Sequence, residues 1–117
     1  MFFPEGTTRV FVHGRPVDMR RSFTGLVALV KQVLEEDPLS GSVFVFVNRR
    51  GHYAKVLYWD RTGFCLWAKR LERGVFVRAH CGQIKRAVSF MDLKLLLEGI
   101  ELNEVRRRRR FSLARVA

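Results

Sequence analysis

Four runs of β-branched and aromatic residues constrain the fold of this chain more than any other feature of its sequence. In chain order the runs cover residues 43–47, 53–59, 64–69 and 75–78. The segments between the first three, Asn48-Arg49-Arg50-Gly51 and Asp60-Arg61-Thr62-Gly63, are typical of tight turns, in which Gly supplies a positive φ. The runs recur at a spacing of about eleven residues, which favours hairpins over βαβ units. The sequence therefore predicts an antiparallel meander over residues 43–78.

Two helices and two short strands are predicted outside the meander. A single apolar stripe with helical spacing covers residues 19–34. A shorter helix is predicted to begin after the capping residue Ser89 and to end at Gly99. Residues 9–12 and 84–88 have the composition of short strands. The expected fold class is α+β: an antiparallel β-meander of four to five strands packed with one long helix and a shorter C-terminal helix.

Length and composition fit one globular domain with a basic tail. The chain has 117 residues, of which 48% are hydrophobic, and this length accommodates one hydrophobic core. We expect residues 1–105 to form the domain and residues 106–117 to be a tail that is disordered when free. The N-terminus lacks the pattern of a signal peptide, and the longest apolar run is too short for a membrane span. The cytoplasm is therefore the expected location, without a membrane partner.

The charge of the chain points to a polyanionic partner. Lys and Arg number 22 against 11 Asp and Glu, which gives a formal net charge of +11. Without Arg106 to Arg110 and Arg115, sixteen basic residues still face eleven acidic ones. The excess is therefore not confined to the tail. Such a charge favours nucleic acid, an anionic membrane or an acidic protein as the binding partner.

The predicted meander gathers basic residues at one end of the sheet. Alternate turns of a meander lie at the same end, so the 48–52 turn and the 70–74 loop should be neighbours. Together with the tail, this end supplies the expected nucleic-acid-binding residues: Arg49, Arg50, His52, Lys69, Arg70, Arg73, Arg106, Arg107, Arg108, Arg109 and Arg110. The alternative is that these are ordinary solvated turn positions and that the tail serves solubility alone.

The aromatic strand residues allow two interpretations. They cannot all lie on one face, because successive side chains of a strand point to opposite faces. We favour a sheet covered on both faces by helices or by another subunit. The other possibility is an open face on which nucleic-acid bases stack.

No metal site, cofactor or disulfide is expected. The chain has two cysteines and three histidines, with no CxxC motif and no recognisable ligand spacing. Cys65 lies within an aromatic run and is expected to be core, whereas Cys81 is expected to be a loop thiol.

Catalysis is not indicated either. A metal-dependent nuclease needs clustered carboxylates, whereas the aspartates here fall at the start of a helix, in a hairpin turn and in a first helical turn: Asp18, Asp60 and Asp92. The enzymatic alternative is a nuclease that uses His13 or His52 with Lys55, but no spacing singles it out. We therefore expect a protein that is not an enzyme.

Several segments within residues 16–102 match the pattern of a known protein family. The matching segments include Asp37-Pro38-Leu39-Ser40-Gly41, Asn48-Arg49-Arg50-Gly51, Lys55-Val56-Leu57-Tyr58-Trp59-Asp60 and Lys69-Arg70-Leu71-Glu72-Arg73-Gly74. In order and spacing they resemble the TnpB accessory proteins (Orf2-like) of the sixty-six family of bacterial insertion sequences. Residues 76–83 depart from the family pattern.

The resemblance implies an accessory role in transposition. Members of the family are encoded beside a separate DDE-type transposase and another small protein, which are therefore the implied protein partners. The leading hypothesis is a non-enzymatic accessory protein that binds nucleic acid, with DNA favoured over RNA, through clustered arginines. The alternative is an adaptor that docks the transposase through the aromatic sheet.

Overall fold

The computed structural model describes residues 9–77 and 79–99, which form one five-stranded sheet with a helix on each face. In chain order the elements are β1 (Val10–His13), α1 (Phe23–Gln32), β2 (Val43–Val47), β3 (Tyr53–Asp60), β4 (Gly63–Arg70), β5 (Lys85–Val88) and α2 (Phe90–Glu98). The expected tail, residues 106–117, and the domain boundary at residue 105 lie outside the described residues. Within the described ranges, no helix has the length and apolar character needed to cross a bilayer.

The sheet is mixed, with the strand order β4-β3-β2-β1-β5. β2, β3 and β4 form the antiparallel hairpins that the turn signals predict, with Phe44 opposite Leu57 and Tyr53 opposite Arg70. β1, however, pairs parallel with β2 and antiparallel with β5. The prediction of a purely antiparallel sheet was therefore wrong at β1. The reason is that α1 connects β1 to β2, and such a crossover carries the chain back to begin the next strand at the same end.

The fourth strand predicted at residues 75–78 was also wrong in the part that the structure describes. Val75 forms only an isolated bridge, and the backbone N–H of Phe76 donates to the carbonyl of Gly51 at 2.7 Å. Phe76 is buried in the core beneath α2, so this segment packs against the sheet instead of extending it. Arg78 lies outside the described residues. A further strand, β5, does form at the predicted position near residues 84–88.

The two helices are nearly equal in length, with 10 residues in α1 and 9 in α2, which corrects the expectation of one long helix. The predicted stripe over residues 19–34 is longer than α1. At its start, the carbonyls of Met19 and Arg21 accept hydrogen bonds from the side chain of Lys55. At its end, Glu35 adopts a φ of 53°, in the left-handed region where a helix cannot continue. α2 begins as predicted, with the Ser89 hydroxyl accepting from the Asp92 N–H at 3.1 Å.

The central strand β2 contributes to a core on each side of the sheet. Its three valines pack on the α2 side, with Leu93, Leu96 and Leu97. Its two phenylalanines pack on the α1 side, with Leu26, Val30 and Leu34. Both phenylalanines are fully buried, and each such ring stabilises the fold by roughly 1.5–3 kcal/mol. The aromatic residues of β2 therefore belong to the core of a sheet that is covered on both faces.

Candidate nucleic-acid interface

The turn between β2 and β3 is built on the side chain of Asn48. Its Oδ1 accepts the backbone N–H groups of His52 at 3.0 Å and of Tyr53 at 3.1 Å, and its Nδ2 lies 3.0 Å from His52 Nδ1. Gly51 has a φ of +76°, which closes the turn. The side chains of Arg49 and Arg50 are exposed at its tip. His52 is thus half-buried as part of the hydrogen-bonded frame of the turn.

The loop after β4 lies against this turn. The N–H of Leu71 donates to the carbonyl of His52 at 2.7 Å, and Phe76 bonds Gly51 as described above. Arg70 and Arg73 are exposed, and the nearest atoms of the Arg70 guanidinium and the Glu72 carboxylate are 3.9 Å apart. An exposed pair at this distance constrains either side chain little. The structure thus brings four exposed arginines to one end of the sheet, the sheet-end cluster: Arg49, Arg50, Arg70 and Arg73.

Lys69 does not join the sheet-end cluster. It lies opposite Ala54 in the β3–β4 ladder, on the α2 face of the sheet, and its Nζ donates to the carbonyl of Leu97 at 2.8 Å. A cation at the C-terminal end of a helix stabilises the partial negative charge there. The structure therefore gives Lys69 the role of capping α2. Arg106 to Arg110 lie outside the described residues.

A groove of about 600 Å³ adjoins the sheet-end cluster. One wall is the segment that leads from β1 to α1, and the other is the Asn48 turn with the start of β3. Its lining residues are Pro16, Val17, Asp18, Met19, Arg20, Asn48, Arg49, Arg50 and Tyr53. The first wall could not be predicted from the sequence, because the crossover through α1 brings it to the turn and no local spacing signals this contact.

Three backbone anchors hold the first wall of the groove in place. The N–H of Val17 donates to the carbonyl of Val47 at 3.0 Å. The Nζ of Lys55 donates to the carbonyls of Met19 and Arg21, each at 2.7 Å. Lys55 itself is only 9% exposed, and its Nζ lies 5.9 Å from the centre of the Tyr53 ring. Lys55 is therefore a structural clamp between β3 and the loop before α1, a role that its place in a strand does not reveal.

An ion pair within the same wall fixes the Asp18 carboxylate. The Arg20 guanidinium donates to both of its oxygens, with the shortest distance 2.6 Å, and the Arg20 backbone N–H donates to Oδ1 at 2.8 Å. The side-chain hydrogen bonds, followed by the backbone one, lower the pKa of Asp18 from 3.8 to about 2. Three guanidinium groups and one carboxylate line the groove, so its charge is positive at neutral pH.

Replacing Arg20 with alanine is expected to raise the pKa of Asp18 from about 2 toward 3.8. The rise should be incomplete, because the backbone N–H of residue 20 still donates. Because the pKa of Asp18 is lower in the folded state, its ionised carboxylate stabilises that state at pH values above 3.8. This contribution is lost as the pH falls toward about 2. Carboxyl-carbon NMR titration measures the change. Arg49→Ala, in the opposite wall, should leave the Asp18 titration unchanged. An equal shift in both variants would contradict the assigned ion pair.

The described residues contain no group of three or more His, Cys, Asp or Glu placed to hold a metal ion. Cys65 is a half-buried free thiol and Cys81 an exposed one. The His80 Nε2 lies 3.3 Å from the carbonyl of Val47, and His13 Nδ1 lies 2.9 Å from the carbonyl of Arg15. The described histidines thus contact backbone or turn groups.

Comparison with known proteins places the chain in a family. The pattern of the IS66 Orf2-like protein family matches residues 8–107. The uncharacterized protein y4jC of Sinorhizobium fredii (strain NBRC 101917 / NGR234) is 36% identical over 108 residues, which are 92% of each chain. The uncharacterized protein y4hO of the same strain is 43% identical over 101 residues, 84% of this chain and 86% of its own. No solved structure matches significantly. The chain therefore belongs to the IS66 Orf2-like family of insertion-sequence accessory proteins.

Proposed function

We propose that this protein is a non-enzymatic accessory subunit of an insertion-sequence transposition system and binds DNA through the sheet-end cluster. The observation that carries the proposal is that four exposed arginines lie at one end of the sheet, two in the β2–β3 turn and two at and just after the end of β4. Glu72 is the one acidic residue of these two segments. Guanidinium groups match phosphate oxygens in a bidentate geometry, and they remain charged at any physiological pH. Such a surface recognises the phosphate backbone without requiring a particular sequence.

The overall charge of the chain supports the same partner. The net charge of +11 attracts a polyanion over a distance, and the five consecutive arginines at 106–110 add phosphate-neutralising groups. The transposase and the other proteins of the same element remain the proposed protein partners.

An adaptor role is the second candidate, and one observation favours it. Met91 and Leu95, one turn apart on α2, are 63% and 59% exposed. Such a pair can serve as an apolar contact for a partner protein. Because Phe44 and Phe46 are fully buried, an adaptor would use this face of α2 in preference to the aromatic residues of the central strand.

Changing Arg49, Arg50, Arg70 and Arg73 to alanine should weaken DNA binding in a salt-dependent way. The intact protein is expected to show a slope of log affinity against log salt of roughly −5 to −7 on duplex DNA. The fourfold variant should make the slope shallower by about 3 to 4, and deletion of residues 106–117 should remove most of the remainder. Fluorescence anisotropy at several salt concentrations measures both slopes.

The matched control removes two arginines from the opposite end of the sheet. Arg9 precedes β1 and Arg61 lies in the β3–β4 turn; both are exposed. The Arg9→Ala/Arg61→Ala pair should therefore change the slope less than the Arg49→Ala/Arg50→Ala pair, which removes the same charge. Equal changes of the slope in the two double variants would indicate general electrostatic attraction instead of a DNA-binding site at the sheet-end cluster. An intact protein that binds neither duplex nor single-stranded DNA, even at low salt, would contradict the proposed function and favour the adaptor role.

A further inference from the structure

The groove beside the sheet-end cluster differs in chemistry from the flat arginine surface around it. Its volume of about 600 Å³ lies within the range of about 300–1,000 Å³ that is typical of sites for small molecules. A continuous duplex presents its phosphates to such a surface but keeps its bases stacked inside. An unpaired nucleotide, by contrast, can place its base in a groove of this size while its phosphates stay at the rim.

The walls of the groove offer one partner for each part of a nucleotide. Pro16, Met19 and the half-buried Tyr53 line the groove and offer apolar and aromatic surface for a base. Arg49 and Arg50 stand at the tip of the adjoining turn, where phosphates would lie.

The groove is also formed before any ligand arrives. The Val17 and Lys55 hydrogen bonds fix one wall, and the two bonds to Asn48 Oδ1 fix the other. Preformed walls reduce the ordering cost that binding would otherwise carry. An extended polar segment of an acidic protein would also meet the arginines, but it would leave the aromatic ring without a stacking partner.

We propose that this groove binds one unpaired nucleotide of a DNA strand, with its base on Tyr53 and its phosphates on Arg49 and Arg50. The inference rests on the proposed function and deepens it, because it specifies the form of nucleic acid that the site recognises. The protein should therefore bind single-stranded DNA, or duplex with an unpaired end, more tightly than a blunt duplex of the same length.

The test compares labelled probes of equal length by fluorescence anisotropy at one salt concentration. The probes are a blunt DNA duplex, a DNA single strand, an RNA single strand and poly-glutamate. Tyr53→Ala should weaken single-strand binding by about 5- to 100-fold, since base–aromatic stacking has this effect, and should change duplex binding little. Tyr53→Phe, which keeps the ring, should retain single-strand affinity. Thermal melting of both variants establishes that they fold.

A second measurement uses the intact protein and so does not depend on how a variant folds. NMR contacts between the Tyr53 ring protons and base protons of a bound DNA single strand are expected. Their absence in a saturated complex would overturn the inference. Equal affinity for duplex and single strand, unchanged in Tyr53→Ala, would also overturn it while leaving the proposed function intact.

The remaining outcomes separate this inference from the function on which it rests. Failure to bind any nucleic acid at low salt would contradict both the nucleotide site and the proposed function. Poly-glutamate binding as tight as DNA binding would show a general anion surface and overturn the nucleotide site. Tighter binding of RNA than of DNA would overturn the choice of DNA.

Discussion

Replacing Lys55 with methionine is expected to lower the free energy of unfolding by about 3 kcal/mol and the melting temperature by roughly 10 °C. The Nζ of Lys55 is the donor to two loop carbonyls at 2.7 Å each, and the side chain is almost completely buried. Methionine fills a similar volume but donates no hydrogen bond, so the carbonyls of Met19 and Arg21 lose a charged partner. Part of the loss is offset because burying an ammonium group is itself costly.

Chemical denaturation measures the Lys55→Met effect, with Lys31→Met as the matched control. Lys31 is exposed at the end of α1, so its replacement should change stability by no more than about 0.5 kcal/mol. Equal stability of the two variants would show that Lys55 is not a clamp. Since the clamp also holds one wall of the groove, Lys55→Met should weaken single-strand binding more than duplex binding.

Replacing Gly14 with alanine should destabilise the protein by at least about 3 kcal/mol. A Cβ at this position would overlap the backbone carbonyl oxygen of Gln83 and would lie 2.8 Å from Cys81 Sγ. The carbonyl belongs to the main chain and cannot rotate away as a flexible side chain can. The backbone bonds from Gly14 N–H to Ile84, at 3.1 Å, and from Cys81 N–H to Gly14, at 3.3 Å, would have to open.

Gly63→Ala is the control for the Gly14 variant. A Cβ at Gly63 meets nothing within 4 Å. The positive φ of this turn falls on Arg61, at 47°, and not on Gly63 as the sequence predicted. The cost of Gly63→Ala should therefore stay below about 1 kcal/mol. Denaturation gives the stability difference, and amide hydrogen exchange locates it. Faster exchange should appear in β5, because it pairs with β1, the strand that ends at His13 directly before Gly14. Unchanged exchange there, with unchanged stability, would contradict the close packing at Gly14.

The parts of the fold that could be predicted are those that local chemistry determines. The Asn48 turn, the hairpins of β2 to β4 and the Ser89 cap follow from residues within a few positions of one another. The parallel pairing of β1 and the true start of α1 depend on contacts distant in sequence. The hydrogen bonds from Lys55 to Met19 and Arg21 span 36 and 34 positions, and apolar periodicity carries no trace of them.

The candidate site divides in the same way. The nearness of the 48–52 turn and the 70–74 loop follows from meander geometry alone, so Arg49, Arg50, Arg70 and Arg73 could be grouped from the sequence. Lys69 could not be separated from them, because its neighbour Leu97 belongs to a helix whose docking position the sequence does not specify. The groove was missed for a related reason, since one of its walls precedes α1 and the other follows β2.

The strand order has an entropic consequence for the arginine surface. The pairing of β1 with β5 places Val10 opposite Val88, so it closes a loop of almost the full described length. The pairing of β3 with β4, by contrast, closes only a tight turn between Asp60 and Gly63. Closing the longer loop costs more chain entropy, and only the four residue pairs between β1 and the edge strand β5 offset this cost. Local opening should therefore begin at β5, the edge farther from the hairpins. The arginines of the two adjacent turns remain assembled while that edge opens, so phosphate contact does not require the whole sheet to be closed.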